Sequence, residues 1–193
     1  PALGNRTAMR YSRLALRPST VAAVGSAVGV PVATGSDSVA LPVLGLAQAD
    51  RLRLSATTGG RLTLTESTTK RIHERIPADS RYWLRPGDIL IQRANTLDYV
   101  GTTALYDGPP DTYIYPDLMM RIRVRVGVEP KYLCAFLNSP QTRVAFRAKA
   151  TGTAGNMPKI NGDAVRTMLV DLPPTGEQRR IVAGRAQRGG QRR

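Results

Sequence analysis

The 193-residue sequence has one cysteine, Cys134, and one histidine, His73. Within one chain that scarcity excludes a disulfide framework, a Cys/His zinc site and a histidine-based catalytic triad. Cys134 reads as a small apolar residue packed on its helix, and His73 as an exposed neighbour of Arg71 and Glu74. Acidic residues are scarce too, 14 against 28 lysines and arginines, for a formal net charge of +14. Lysine occurs only at Lys70, Lys131, Lys149 and Lys159, so the excess is arginine, whose planar fork suits phosphates and guanine edges. Nucleic acid is the partner this implies, and a soluble arginine-rich surface is the bland alternative. No stretch gathers the arginines on one amphipathic helical face as a membrane surface would require, and no apolar run is long enough to span a bilayer. Arg6, Arg10, Arg13 and Arg17 precede a small-apolar run at 21–33 and imitate a signal peptide. Gly25, Ser26, Gly29 and Pro31 interrupt that run, which also lacks leucine and phenylalanine, so the expected setting is reducing and cytoplasmic.

What is present reads as strands followed by helices. Residues 1–20 carry arginines and no acid, a loose basic arm. Short strand signals follow at 41–46, 51–54, 61–65, 88–92, 99–105 and 118–126. The last alternates Met120, Ile122, Val124 and Val126 with Arg121, Arg123 and Arg125, which predicts one core face and one cationic face. After Gly127, Pro130 opens a helix with Tyr132, Leu133, Phe136 and Leu137 on its apolar side. Ser139 caps and Pro140 opens a second, with Val144, Ala145 and Ala148 as its stripe and Arg143, Arg147 and Lys149 elsewhere. Asn161 caps a short helix before a closing strand at 168–172. Pro173 and Pro174 then end the strand, and Thr175 with Gln178 has the spacing of a reciprocal capping box.

Three places could carry chemistry. Pro116-Asp117 with Glu129-Pro130-Lys131 has the letters of a magnesium nuclease, but Pro130 opens a helix where two strand carboxylates would have to converge. Asp171-Leu172-Pro173-Pro174 approximates an adenine-methyltransferase loop, with Leu172 intervening and Thr175 where a flipped base needs an aromatic. The third is recognition. Gln92, Arg93, Asn95 and Thr96 follow a strand directly, and Gln and Asn can pair bidentately with adenine as Arg does with guanine. The loop 149–156 displays Thr151, Thr153 and Asn156 behind the basic helix. These residues are the base-reading candidates; Arg143, Arg147, Lys149 and Lys159 are the phosphate candidates.

Residues 84–95 (Leu-Arg-Pro-Gly-Asp-Ile-Leu-Ile-Gln-Arg-Ala-Asn) with Val100-Gly101 open an ordered series of motifs. Tyr132-Leu133 to Asn138-Ser139-Pro140, Gly152-Thr153-Ala154-Gly155-Asn156 with Lys159-Ile160-Asn161, and Leu172-Pro173-Pro174 with Glu177-Gln178 and Ile181-Val182 complete it. In order and spacing the set resembles the specificity subunit of type I restriction-modification systems, and Val21-Ala22 to Gly29 with Leu41-Pro42-Val43 resembles the opening of its target recognition domain. The resemblance implies an α/β (α+β) fold: a strongly bent mixed sheet packed with a C-terminal group of short helices, then the start of a spacer helix. It divides the chain into an arm at 1–20, a recognition domain at 21–174 and the spacer start at 175–193. It implies duplex DNA as ligand, a modification and a restriction subunit as partners, with Glu177, Gln178, Ile181 and Val182 facing the former, and neither catalysis nor cofactor. The family carries two recognition domains and two spacers, whereas here one domain runs into Gly184, Gly189-Gly190 and arginines. The expectation is therefore a fragment or half-subunit that reads one half-site as a monomer. An arginine-rich RNA-binding or ribosome-associated protein is the alternative of another class, and a magnesium-dependent nuclease the third.

Overall fold

The computed structural model describes residues 12–15, 21–22, 46–152 and 157–190, without the side chains of 12–15, 21–22, 46, 186 and 188–190. The strands are β1 (Ser12–Ala15), β2 (Val21–Ala22), β3 (Leu46–Leu52), β4 (Thr69–Pro77), β5 (Ile89–Gln92), β6 (Thr103–Leu105), β7 (Tyr113–Ile114), β8 (Met119–Ile122) and β9 (Leu169–Leu172). Between them lie α1 (Pro130–Leu137), α2 (Pro140–Lys149) and α3 (Gly162–Arg166), and α4 (Thr175–Gly190) follows β9. The class is the mixed α/β one expected, with the sheet divided in three: β2-β8-β5-β6, β4-β3-β7 and β1-β9. Pairing is antiparallel except between β3 and β7.

The turn before β5 is legible residue by residue. Pro86 presets φ at its second position, Gly87 takes φ +93° at its third, and Asp88 N–H closes it on Arg85 O at 3.0 Å. From there β5 runs through the middle of the molecule with all four residues buried. Ile89 and Ile91 face a core completed by Met120, Ile122, Leu133, Leu137 and Phe146, while Leu90 faces a second one of Leu52, Leu84, Tyr106, Tyr115 and Met119.

Because this sheet is covered on both faces, β8 departs from the expected half-cationic strand. It stops at Ile122 with all four residues buried. Arg121 lies inside the second core, donating to Trp83 O at 2.9 Å and lying over the Tyr115 ring, and burial lowers its pKa. Arg123 reaches the buried Asp88 carboxylate at 2.7 Å, and Val126 is fully exposed.

Two further expectations change. The segment 61–65 is an irregular turn held by the Thr68 hydroxyl, which donates to Thr63 O at 2.7 Å and accepts from Thr65 N–H at 2.8 Å. The strand lies beyond it: six of the nine residues of β4 are exposed, so no alternation announced it. In α2 the buried residues are Thr142 and Phe146, whereas Val144 is 61% exposed. Phe146 is drawn inward because Gly101, at φ +77°, leaves room for its ring: a β-carbon there would stand 2.8 Å from it. Pro130 and Pro140 open α1 and α2 as expected, with Ser139 capping α2 and Asn161 capping α3. Cys134 is buried, which pushes its thiol up to about 11, and His73 is exposed. Of the predicted strand at 41–46 only Leu46, the first residue of β3, is among the described residues, and most of the basic arm lies outside them.

Candidate nucleic-acid interface

Two polar loops far apart in sequence meet on one surface. Residues 157–160 form a strip between them: Ile160 N–H donates to Arg93 O at 2.9 Å, Asn95 N–H to Pro158 O at 3.3 Å, and Thr151 and Lys159 exchange backbone bonds at 2.8 and 2.9 Å. Arg93, Asn95, Thr151 and Lys159 therefore share a patch, and Thr96 is exposed beside it. An open groove of about 530 Å³ runs along it, lined by Leu118, Thr151, Gly152, Met157 and Lys159. Thr153 and Asn156 lie outside the described residues.

Gln92 is not on that surface. It is fully buried because its amide is spent internally, Nε2 donating to Leu54 O and Thr57 Oγ1, both at 3.0 Å, and reaching Thr58 Oγ1 at 3.3 Å. The two threonine hydroxyls donate to Leu54 O, which leaves their oxygens as acceptors and fixes which way the Gln92 amide points. Its Oε1 then accepts from Asn95 Nδ2 at 2.6 Å, and Asn95 Oδ1 accepts from Thr96 N–H at 2.7 Å. The network orients Asn95 and still leaves it one N–H and one oxygen lone pair, the pair of functions an adenine edge requires. Gln92 thus supports the loop from the interior and is not displayed on its surface. Leu54, Thr57 and Thr58 were missed in the sequence, where a short turn ahead of Gly59-Gly60 carries no sign of its distant partner.

The phosphate candidates on α2 are partly committed as well. Arg143, half-buried, donates to Val100 O at 2.5 Å and Asp98 O at 2.8 Å, and Arg147 donates to Leu97 O at 3.1 Å. Burial, and then Arg147 nearby, lower the Arg143 guanidinium. These two arginines fasten the outer end of the Arg93–Val100 loop onto α2. Lys149 donates to Thr167 Oγ1 at 2.8 Å from an exposed position, and Lys159 is exposed.

At the start of α4 the expected capping box is replaced by a tertiary lock. Thr175 is already helical, and Gln178, 1% exposed, donates to Gly127 O at 2.9 Å and Pro173 O at 2.8 Å while accepting from Glu129 N–H at 2.8 Å. Gln178 therefore faces the domain, not a partner. Val182 packs against the chain's own core, Glu177 pairs with Arg180, and Ile181 is 36% exposed. Arg179 to Glu129 at 2.7 Å and Arg185 to Ala135 O at 3.1 Å hold the helix along α1. Glu129 is thereby engaged at the mouth of α1, and among the described residues no group of three or more His, Cys, Asp or Glu could hold a metal ion. No helix among them is long and apolar enough to cross a membrane.

No family model matches the chain. Over 105 residues it is 33% identical to the specificity subunit of the type I restriction enzyme EcoKI of Escherichia coli K12, a match that takes in 53% of this chain and 22% of that protein. The chain thus spans about a fifth of the length of this relative. Among solved structures, the HsdS subunit of Thermoanaerobacter tengcongensis aligns with a TM-score of 0.55 and 27% identity over 72% of this chain and 35% of its own. A chain from a structure of a type I R-M system aligns over 99% of this chain and 41% of its own, with a TM-score of 0.55 and 19% identity, which speaks to the fold. Over the portion they share, the chain is similar in sequence and in fold to the specificity subunits of type I restriction enzymes.

Proposed function

We propose that the chain is a sequence-reading module for duplex DNA that lends target specificity to a type I restriction-modification complex and performs no chemistry of its own. The observation that carries this reading is the single patch on which Arg93, Asn95, Thr151 and Lys159 converge, with Asn95 oriented from the buried side by Gln92. Arginine and asparagine are the side chains that match guanine and adenine edges in the major groove, and the lysines beside them suit the flanking phosphates. Kinship with specificity subunits supports the same assignment. In this reading residues 21–174 are the recognition domain and 175–193 begin a spacer helix, whose outward residues such as Ile181 meet the modification subunit, the restriction subunit joining through it.

Duplex DNA should bind with a strong salt dependence, each neutralised phosphate adding about 0.9 to the log–log slope, and should outcompete folded RNA. Fluorescence anisotropy across a salt series, with an RNA hairpin as competitor, measures both. Affinity independent of salt, or preference for the hairpin, would refute the reading. Once a preferred site has been selected from a random duplex library, Arg93→Ala and Asn95→Ala should each cost about 1 to 3 kcal/mol on that site and less on random DNA. Lys149→Ala and Lys159→Ala should weaken binding to both by the same factor.

A further inference from the structure

A second cationic surface adjoins the reading patch. Arg51, Arg53 and Lys70 line a groove of about 340 Å³ between β3, β4 and the turn entering β8, with Leu54 and Leu118 in its wall. Many surface arginines of this protein are neutralised by a carboxylate: Arg71 by Asp50, Arg85 by Asp111, Arg166 by Asp163, Arg179 by Glu129. The groove differs. The side chains of Arg51 and Lys70 have no hydrogen-bond or ion-pair partner among the described residues, and the Arg53 guanidinium uses one N–H on Thr69 O at 3.2 Å. Moreover Arg51 and Lys70 stand directly opposite each other in the β3–β4 register, beside the compensated Asp50–Arg71 rung. Adjacent rungs present opposite faces, so one face of the hairpin is neutralised and the other carries a like-charge pair that opposes folding. A bound polyanion would relieve that repulsion.

The groove is also mechanically joined to the reading loop. Leu118 O accepts from Arg93 N–H at 2.9 Å and from Ala94 N–H at 3.3 Å, and Leu54 O accepts from Gln92 Nε2 at 3.0 Å. Leu118 lines both this groove and the one along Thr151 and Lys159. We infer that Arg51, Arg53 and Lys70 form a phosphate seat for the same duplex whose bases the Arg93–Asn95 loop reads, setting its register from the β3–β4 side. The inference rests on the proposed function and adds a surface to it. Asp117 lines the same groove, also without an ion-pair partner among the described residues, and reduces its net charge.

The test uses the full chain carrying Arg51→Ala, Arg53→Ala and Lys70→Ala together, titrated with duplex DNA across a salt series. The slope of log affinity against log salt should fall by about 2.7, three phosphates at about 0.9 each, while the ratio of preferred to random DNA stays within about twofold. Lys70→Glu guards against misfolding. It sets an opposite charge across from Arg51, so it should raise the thermal midpoint yet weaken DNA binding at least about tenfold at low salt. Asp117→Asn should strengthen binding to preferred and random duplexes alike. An unchanged slope in the triple variant, full binding by Lys70→Glu, weaker binding by Asp117→Asn, or slope lost for an RNA hairpin but not for the duplex would each overturn the phosphate seat. Failure of the parent chain to bind duplex DNA would overturn the proposed function along with it, whereas parent binding with an unaltered variant slope would remove this surface alone.

Discussion

Asp88→Ala should destabilise the fold by about 3 to 5 kcal/mol, the range expected when one member of a buried ion pair is removed and the other stays. The Asp88 side chain is 3% exposed and holds Arg123 Nε at 2.7 Å, while Arg121, 6% exposed, stands 3.9 Å from its other oxygen. That oxygen also accepts from Arg85 N–H at 3.0 Å, closing the turn that launches β5. With the carboxylate gone, Arg121 keeps only Trp83 O and the Tyr115 ring to offset its desolvation, and it faces Arg123 without compensation. The turn loses a bond at the same time. Urea denaturation followed by circular dichroism would measure the cost, and adding Arg121→Met should recover part of it, because the orphaned charge leaves with the arginine. A single variant within about 0.5 kcal/mol of the parent would show that Arg121 is satisfied without Asp88.

Gln92→Leu should remove sequence discrimination more than it removes affinity. Leucine keeps bulk in the interior but takes away the acceptor that holds Asn95 Nδ2 at 2.6 Å and the donor that the buried Thr57 Oγ1 accepts from at 3.0 Å. Buried groups left unpaired in this way cost about 1 to 3 kcal/mol of stability. An Asn95 no longer held by Gln92 should forfeit about 1 to 3 kcal/mol of preference for its base pair, roughly fivefold to 150-fold. Binding to random duplexes, carried by lysines and arginines elsewhere, should stay nearly constant. The discriminating measurement is a double-mutant cycle with Asn95→Ala on preferred and altered sites. If Gln92 acts through Asn95, the double variant should lose little more discrimination than either single one, giving a coupling near the size of the single effects. Additive losses, or an equal decline on preferred and random DNA, would reduce Gln92 to a structural residue.

Recognition of the loops and recognition of their supports draw on different information. The first was available locally. A polar run placed directly behind a buried strand must be displayed at the strand's end, and Arg93, Asn95 and Thr96 are there, as Thr151 and Lys159 are beside them. Gln92 carries the same amide as Asn95 and stands three residues earlier, yet it is in the interior. The difference arises because Leu54 O and the Thr57 and Thr58 oxygens happen to lie opposite it, more than thirty residues away in sequence. Gln178 repeats the lesson: its spacing from Thr175 suggested a local cap, and its actual partners are Gly127, Glu129 and Pro173.

What the residues alone determined was each feature whose energetics are confined to a few neighbours. The proline-opened α1 and α2, the Ser139 and Asn161 caps, the strand at β5 and the packed Cys134 belong to that group, together with the mixed fold class and the likeness to specificity subunits carried by the ordered motifs. Tertiary structure decided every feature set by what covers a surface. Arg121 alternates with apolar residues as a solvent-facing residue would, and is buried because a second core closes over the far side of β8. Strand β4 forms from a mostly exposed sequence because β3 offers it a hydrogen-bonded edge, and that pairing brings Lys70 opposite Arg51. Periodicity records whether a residue could be buried, but only the packed neighbours determine whether it is.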